Sequence, residues 1–149
     1  MHDALIPLVE SRWLDEAPTS AAEVAGLQTI VDRNLDEARG PLKYPDTRFW
    51  LAYQAVLAAA TIVIRAHGAR VRRERQHERT FAALRQLAIS GVSDRARYYD
   101  DCRRKRNVAD YDVAGGVSDT EATALLREAE RLVGAVRDWL RRERPDLMQ

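Results

Sequence analysis

Asp46-Thr-Arg-Phe-Trp-Leu-Ala-Tyr-Gln-Ala-Val-Leu-Ala-Ala-Ala-Thr-Ile-Val-Ile-Arg-Ala-His67 reads as a helix that is apolar on nearly every side. At helical spacing Phe49, Tyr53, Val56, Ala60 and Val63 share one face, and Trp50, Leu57 and Ile64 share a neighbouring one. Ala58, Ala59 and Ala60 allow another helix to approach closely. Such a helix has no face to turn toward water, so others must wrap it. The expected fold is therefore all-α: an antiparallel up-and-down bundle of four main helices with one or two accessory ones. Asp46 is the predicted N-cap, and Gly68 ends the helix just after His67. The apolar run from Trp50 to Ile64 is interrupted by Gln54 and Thr61 and is shorter than a bilayer span, so a core helix is expected and no membrane association.

Composition sets the outer bounds. The chain has 149 residues, 46% hydrophobic and 32% charged, which suits one domain over residues 1–149 with a sizeable core. A net charge of +1 gives no overall attraction to nucleic acid, so any such affinity must come from local patches. Cys102 is the single cysteine, which excludes an internal disulfide framework and fits a soluble protein of the reducing cytoplasm. It reads as a small core residue, because no histidine lies near it in sequence to make it a nucleophile. The start, Met1-His-Asp-Ala-Leu-Ile-Pro7, lacks the basic region and apolar core of a signal peptide. His67 and His77 are ten residues apart, and no cysteine or carboxylate cluster completes a metal set. No glycine-rich loop follows a strand, so Walker-type and Rossmann-type nucleotide binding are unsupported, and no cofactor is expected.

Toward the N-terminus, an accessory helix is predicted over Leu5 to Glu16, with Leu5, Leu8, Val9, Arg12 and Trp13 on one side and Pro18 stopping it. Ser20-Ala-Ala-Glu23 is a capping box that opens a second helix. Its inward stripe is Val24, Leu27, Ile30, Val31, Leu35 and Ala38, and Gly40-Pro41 ends it. Beyond Gly68, residues 65–79 carry six arginines against two glutamates, which is either a solvated face or a phosphate-binding one. A shorter helix is expected over Glu78 to Ile89, with Phe81, Leu84, Leu87 and Ala88 inward and Ser90-Gly91 as its stop. Ser118-Asp-Thr-Glu121 is a second capping box, and Leu125, Ala129, Leu132, Val136 and Trp139 line one face of a final helix to about Arg144.

Between them lies Arg95 to Tyr111, RARYYDDCRRKRNVADY, with Ser93 or Asp94 as its predicted cap. As a helix it puts Arg95, Tyr99, Cys102, Arg106 and Ala109 in one stripe. An arginine among packing residues needs partners or a wet cleft. Asn107 follows it, and Tyr111 lies one turn beyond Asn107. Arg106, Asn107 and Tyr111 thus form a candidate polar cluster. The alternative is that Arg106 snorkels from the helix edge while Tyr111 covers the core.

The run Cys102-Arg-Arg-Lys-Arg-Asn107 with Tyr111 resembles the signature helix of HEPN domains, small helical proteins of prokaryotic toxin–antitoxin and defence loci. Asp46 to Tyr53, Gly68-Ala-Arg-Val71 and His77-Glu-Arg-Thr80 are similar to the middle of the nucleotidyltransferase-associated HEPN proteins. The likeness covers roughly residues 20 to 142. It implies a homodimer, RNA as ligand, a nucleotidyltransferase antitoxin as possible partner, and metal-independent RNA cleavage by an arginine and a histidine four to six positions further on. Arg106 matches the arginine; Tyr111 stands at the histidine position, no histidine follows His77, and Val113 stands where the toxins place a modifiable tyrosine. On this resemblance Arg106, Asn107 and Tyr111 are the catalytic candidates, and Arg103, Arg104, His77 and Tyr53 are the RNA- or ligand-binding ones. His77 would begin a helix near the cleft and substitute in proton transfer. Three readings stay open: a divergent ribonuclease, an inactive module binding a nucleotide or a partner protein, and a cluster that only ties the helix to the core.

Overall fold

Pro45 starts the central helix, where its missing N–H costs nothing because no partner exists there. The computed structural model describes residues 1–111 and 116–148, and of 108–111 the backbone alone. This helix, α3, runs Pro45–Ala66 and is buried on successive turns from Phe49 to Ala66. The helices in chain order are α1 (Ile6–Glu10), α2 (Ala21–Arg39), α3, α4 (Gln76–Leu87), α5 (Ala96–Tyr111) and α6 (Asp119–Glu143), with 3-10 turns at Asp3–Leu5 and Pro145–Leu147. Helix accounts for 72% of the structure, which makes the class all-α and HEPN-like in architecture. α3 packs against α2, α6, α4 and α5, so it is the hub that its sequence requires. By length and hydropathy this 22-residue helix is sufficient to cross a membrane, contrary to the expectation from its apolar run, but 72% of that window is buried within the protein.

Of the two predicted capping boxes, the one at Ser118 forms in full, whereas at Ser20 only the serine half forms, because the Glu23 carboxylate goes to Thr19, Arg65 and Arg70. Ser20 Oγ accepts from Glu23 N at 3.1 Å, and Ser118 and Glu121 exchange both bonds, each at 3.1 Å. Asp46 is not a cap: Tyr44 holds that position without a side-chain bond, and Asp46 lies in the first turn. Ser93 and Asp94 do not cap α5 with their side chains either. Ser93 Oγ donates to Leu84 O at 2.6 Å and accepts from Ile89 N at 3.0 Å, while Asp94 accepts from Gly91 N, so both close the turn that leaves α4. That turn begins at Ala88, which is exposed rather than inward, in the left-handed region at φ 49. Ile30, which its spacing places in the inward stripe of α2, is turned outward at 46% exposure, and Trp50, on the second apolar face of α3, is 37% exposed. The position of Val113 lies outside the described residues.

The N-terminal segment departs most from expectation. The helix stops at Glu10, Arg12 takes a left-handed conformation at φ 62, and Trp13 N returns to Leu8 O at 2.9 Å. The chain then forms strand β1 (Leu14–Glu16), antiparallel to β2 (Ala69–Val71), with Asp15 opposite Arg70. The ribbon buries Leu14 and Ala69 and leaves Asp15, Glu16 and Arg70 outside.

One buried charge joins α5 to α6. Glu128 is 6% exposed and accepts from Tyr99 Oη at 2.6 Å and from Arg131 at 2.7 and 2.8 Å, with Arg95 at 3.6 Å. Burial pushes its carboxyl up, but these bonds and the Arg131 and Arg95 charges outweigh that and hold it below the ordinary carboxylate range. A depressed folded-state pKa stabilises the fold above the unfolded carboxylate pKa, and the contribution disappears as pH falls through the folded value. Glu128→Gln should therefore lose about 2 kcal/mol at neutral pH, and its stability should fall less steeply than the wild type's below about pH 4 in denaturant titrations.

Candidate functional site

Tyr53 is the polar interruption in the buried length of α3. Its residue is 0% exposed, and its hydroxyl finds a partner 3.0 Å away in Nδ1 of His77, in the first turn of α4. A buried hydroxyl without such a partner would be costly. Arg106 of α5 completes the group, its guanidinium carbon lying 5.5 Å from the centre of the Trp50 ring and 5.9 Å from that of Tyr53. Both distances are within the range of a cation held against an aromatic face. One turn before it, Arg103 bonds Asp100 at 2.7 Å, and both side chains are 19% exposed.

The electrostatics follow from this crowding of cations. Burial lowers the His77 pKa, and the Arg106 and Arg103 charges lower it further, so the imidazole is neutral at neutral pH. Burial raises Tyr53, against an opposing pull from Arg103 and Arg106, so its hydroxyl keeps its proton. If Nδ1–H donates to Tyr53 Oη, Nε2 carries the free lone pair and can accept a proton. A neutral imidazole beside two guanidiniums is suited to a phosphodiester: the cations meet the anion and the imidazole takes a proton from an attacking hydroxyl. Among the described residues no group of three or more His, Cys, Asp and Glu side chains is placed to hold a metal ion.

Of the residues nominated from sequence, Tyr53, His77, Arg103 and Arg106 come together. Asn107 is half-buried next to Arg106. Arg104 points elsewhere, bonding Asp100 at 2.8 Å and lining a shallow cleft with Glu78, Arg85 and Arg97. The side chain of Tyr111, and that of Ala109 in the predicted stripe, lie outside the described residues. His67 is remote, stacked on Trp139 with ring centres 5.1 Å apart and bonded to Val63 O. Cys102 is buried and its thiol is pushed up to about 11 by that burial, which leaves it a packing residue. Trp50 and Asp100 were missed. Their helical spacing was a usable signal: Trp50 lies one turn from Tyr53, and Asp100 lies three and four residues before the arginines it bonds.

The profile of the SAV_6107-like HEPN family matches residues 41–137, which takes in α3, α4, α5 and most of α6 with every residue of the cluster just described. No curated protein and no solved structure matches the chain significantly. The matched segment is well over half of the sequence, and the chain belongs to the HEPN family.

Proposed function

We propose that the protein acts on RNA as a divergent, metal-independent endoribonuclease, in which His77 stands in for the histidine that the signature helix lacks. The observation that carries this reading is the joining of Arg106, Tyr53 and His77 across three helices, through a 3.0 Å hydrogen bond and a cation–ring contact. The RNA 2′-hydroxyl attacks the adjacent phosphorus, His77 Nε2 takes its proton, and the 5′-oxygen leaves as a cyclic phosphate forms. Arg106 neutralises the charge that builds on the non-bridging oxygens, and Arg103 adds to the same field. Tyr53 positions the His77 ring. Asn107 would orient the phosphate, and Tyr111, by its place in the sequence, would donate its phenolic proton to the leaving 5′-oxygen and regain one from solvent. A cytoplasmic toxin or defence protein paired with a nucleotidyltransferase antitoxin is the setting this chemistry suits.

Pairing with a second copy is part of the same proposal. Ile30 and Trp50 are the exposed apolar residues of α2 and α3, and a groove of about 220 Å³ between Leu27, Ile30 and Leu57 reaches His77. A partner laid on this strip would exclude water beside the imidazole. The competing reading, a module that binds RNA or a partner protein without cutting, draws its support from the absence of any histidine after His77.

Labelled total RNA incubated with the purified protein in chelator should be cleaved, and Arg106→Ala should lose about a hundredfold to a thousandfold of that rate while melting like the wild type. Loss of melting temperature in step with activity would instead assign the cluster a purely structural role, and a wild-type rate no higher than the variant's would leave the binding module. The acidic limb of the rate–pH profile should report a base titrating below the ordinary histidine value of about 6.5. In Arg103→Gln that limb, and the His77 titration followed by NMR, should both move to higher pH, because a lowering charge has been removed. Sedimentation should show a dimer for the wild type and a monomer for Ile30→Glu; an unchanged mass would rule out this strip as the interface.

A further inference from the structure

A second cluster of arginines lies elsewhere on the molecule. The turn at Ser11–Arg12, the β1–β2 ribbon and the loop entering α4 enclose a groove of about 700 Å³. Arg79, on its wall, is two residues from His77 on α4, which places the two side chains on nearly opposite faces of the helix. The groove therefore shares no residue with the Arg106 cluster.

Its charges are unevenly compensated. Arg70 bonds Glu23 at 3.1 Å, and Arg72 meets Asp15 at 3.7 Å. Among the described residues, Arg12, Arg73 and Arg79 pair with no carboxylate, although all three line the groove. The guanidinium of Arg79 is laid over the Trp13 ring at 4.6 Å, and its Nε is buried with no hydrogen-bond partner. A buried guanidinium donor is seldom left in that state. Arg12 is held at φ 62, where glycine would sit without strain and where a non-glycine residue points to a demand from outside the local backbone. Among the described residues no aromatic side chain lines the groove. It can grip anions bidentately but has nothing on which a base would stack.

We infer that this groove holds the phosphodiester backbone of an RNA strand, irrespective of base sequence; the choice of RNA over other polyphosphates rests on the function proposed above. Its volume is comparable to the roughly 300–1,000 Å³ of ligand clefts and is larger than one phosphate requires. Such a contact would concentrate the strand on the protein while the Arg106 cluster acts on it.

The test uses the full chain with Arg106→Ala as background, so that the RNA stays intact, and compares it with the same protein carrying Arg12→Gly and Arg73→Gln. Arg12→Gly removes a charge and also relieves the left-handed backbone, so the fold should melt no lower. Anisotropy of two labelled RNA oligomers of different sequence should show affinity falling about tenfold or more for both, with the salt slope reduced by roughly 0.7 per arginine. Unchanged affinity and slope would overturn the inference. Binding of inorganic tripolyphosphate that depends on the two arginines, with no RNA bound, would overturn the assignment to RNA. The outcomes separate this inference from the function proposed above: groove-dependent binding without wild-type cleavage sinks the ribonuclease and keeps the groove, whereas normal binding by the groove variant with wild-type cleavage sinks the groove alone.

Discussion

Burial of α3 over most of its circumference is the constraint from which the other helices take their places. Each large apolar side chain removed from water contributes about 1.5–3 kcal/mol, and α3 carries such residues on every face from Phe49 to Ile64. No single neighbour can cover them, so α2 and α6 flank its length, α4 and α5 pack on further faces, and only the strip with Trp50 and Leu57 stays partly open. The alanines at 58, 59 and 60 allow that enclosure, because they let neighbouring backbones approach. Within so dry an environment a hydroxyl is conspicuous. Tyr53 has to find a partner, and the place where α4 supplies His77 is where a polar site can exist at all.

The site then sets two demands against each other. Low dielectric makes each guanidinium expensive to enclose, and the same low dielectric makes its field on a neighbouring imidazole stronger. Arg106 meets the first demand by lying against two rings, and Arg103 meets it with Asp100. What remains of both charges disfavours protonation of His77. The imidazole is thus kept as an acceptor by the groups that would hold the anion, and in the proposed reaction one arrangement would serve both ends of the transfer.

Much of this was readable from periodicity and capping. α2, α3 and α6 lie where their apolar stripes put them, and Ser20 and Ser118 cap the starts of α2 and α6, because those signals are local and act within one turn. The β1–β2 ribbon was not readable: three residues give too little alternation, and the pairing partner is more than fifty residues away. Ser93 shows how a cap signal misleads, since its hydroxyl was claimed by the preceding helix end instead of the following helix start. Ile30 fits the inward stripe of α2 by spacing, yet it faces out because α3 and α6 cover only part of that arc. For the site, Arg106 was legible as a charge in a packing stripe. The contact of Tyr53 with His77 was not, because 24 residues and a reversal of the chain lie between them and no pattern in sequence encodes that meeting.

Charge gives the most instructive contrast. The sequence holds 24 basic and 23 acidic residues, a near balance that gives no overall attraction to nucleic acid and leaves any affinity to local patches. A total records the far field, which salt screens within about 10 Å, whereas a phosphate meets only the charges left over after the fold has paired its own. The arginine-rich stretch from 65 to 79 divides on this ground. Arg65 and Arg70 both go to Glu23, joining α2 to the end of α3 and to the ribbon, and they are structural cations. Arg73 and Arg79 pair with no carboxylate among the described residues and stand beside Arg12, which is brought in from far along the chain by the left-handed turn that ends the N-terminal helix. The broken helix and the surplus charge are therefore one feature: without the reversal at Arg12 there would be no ribbon, and without the ribbon the arginines of the following loop would face open solvent in place of a groove.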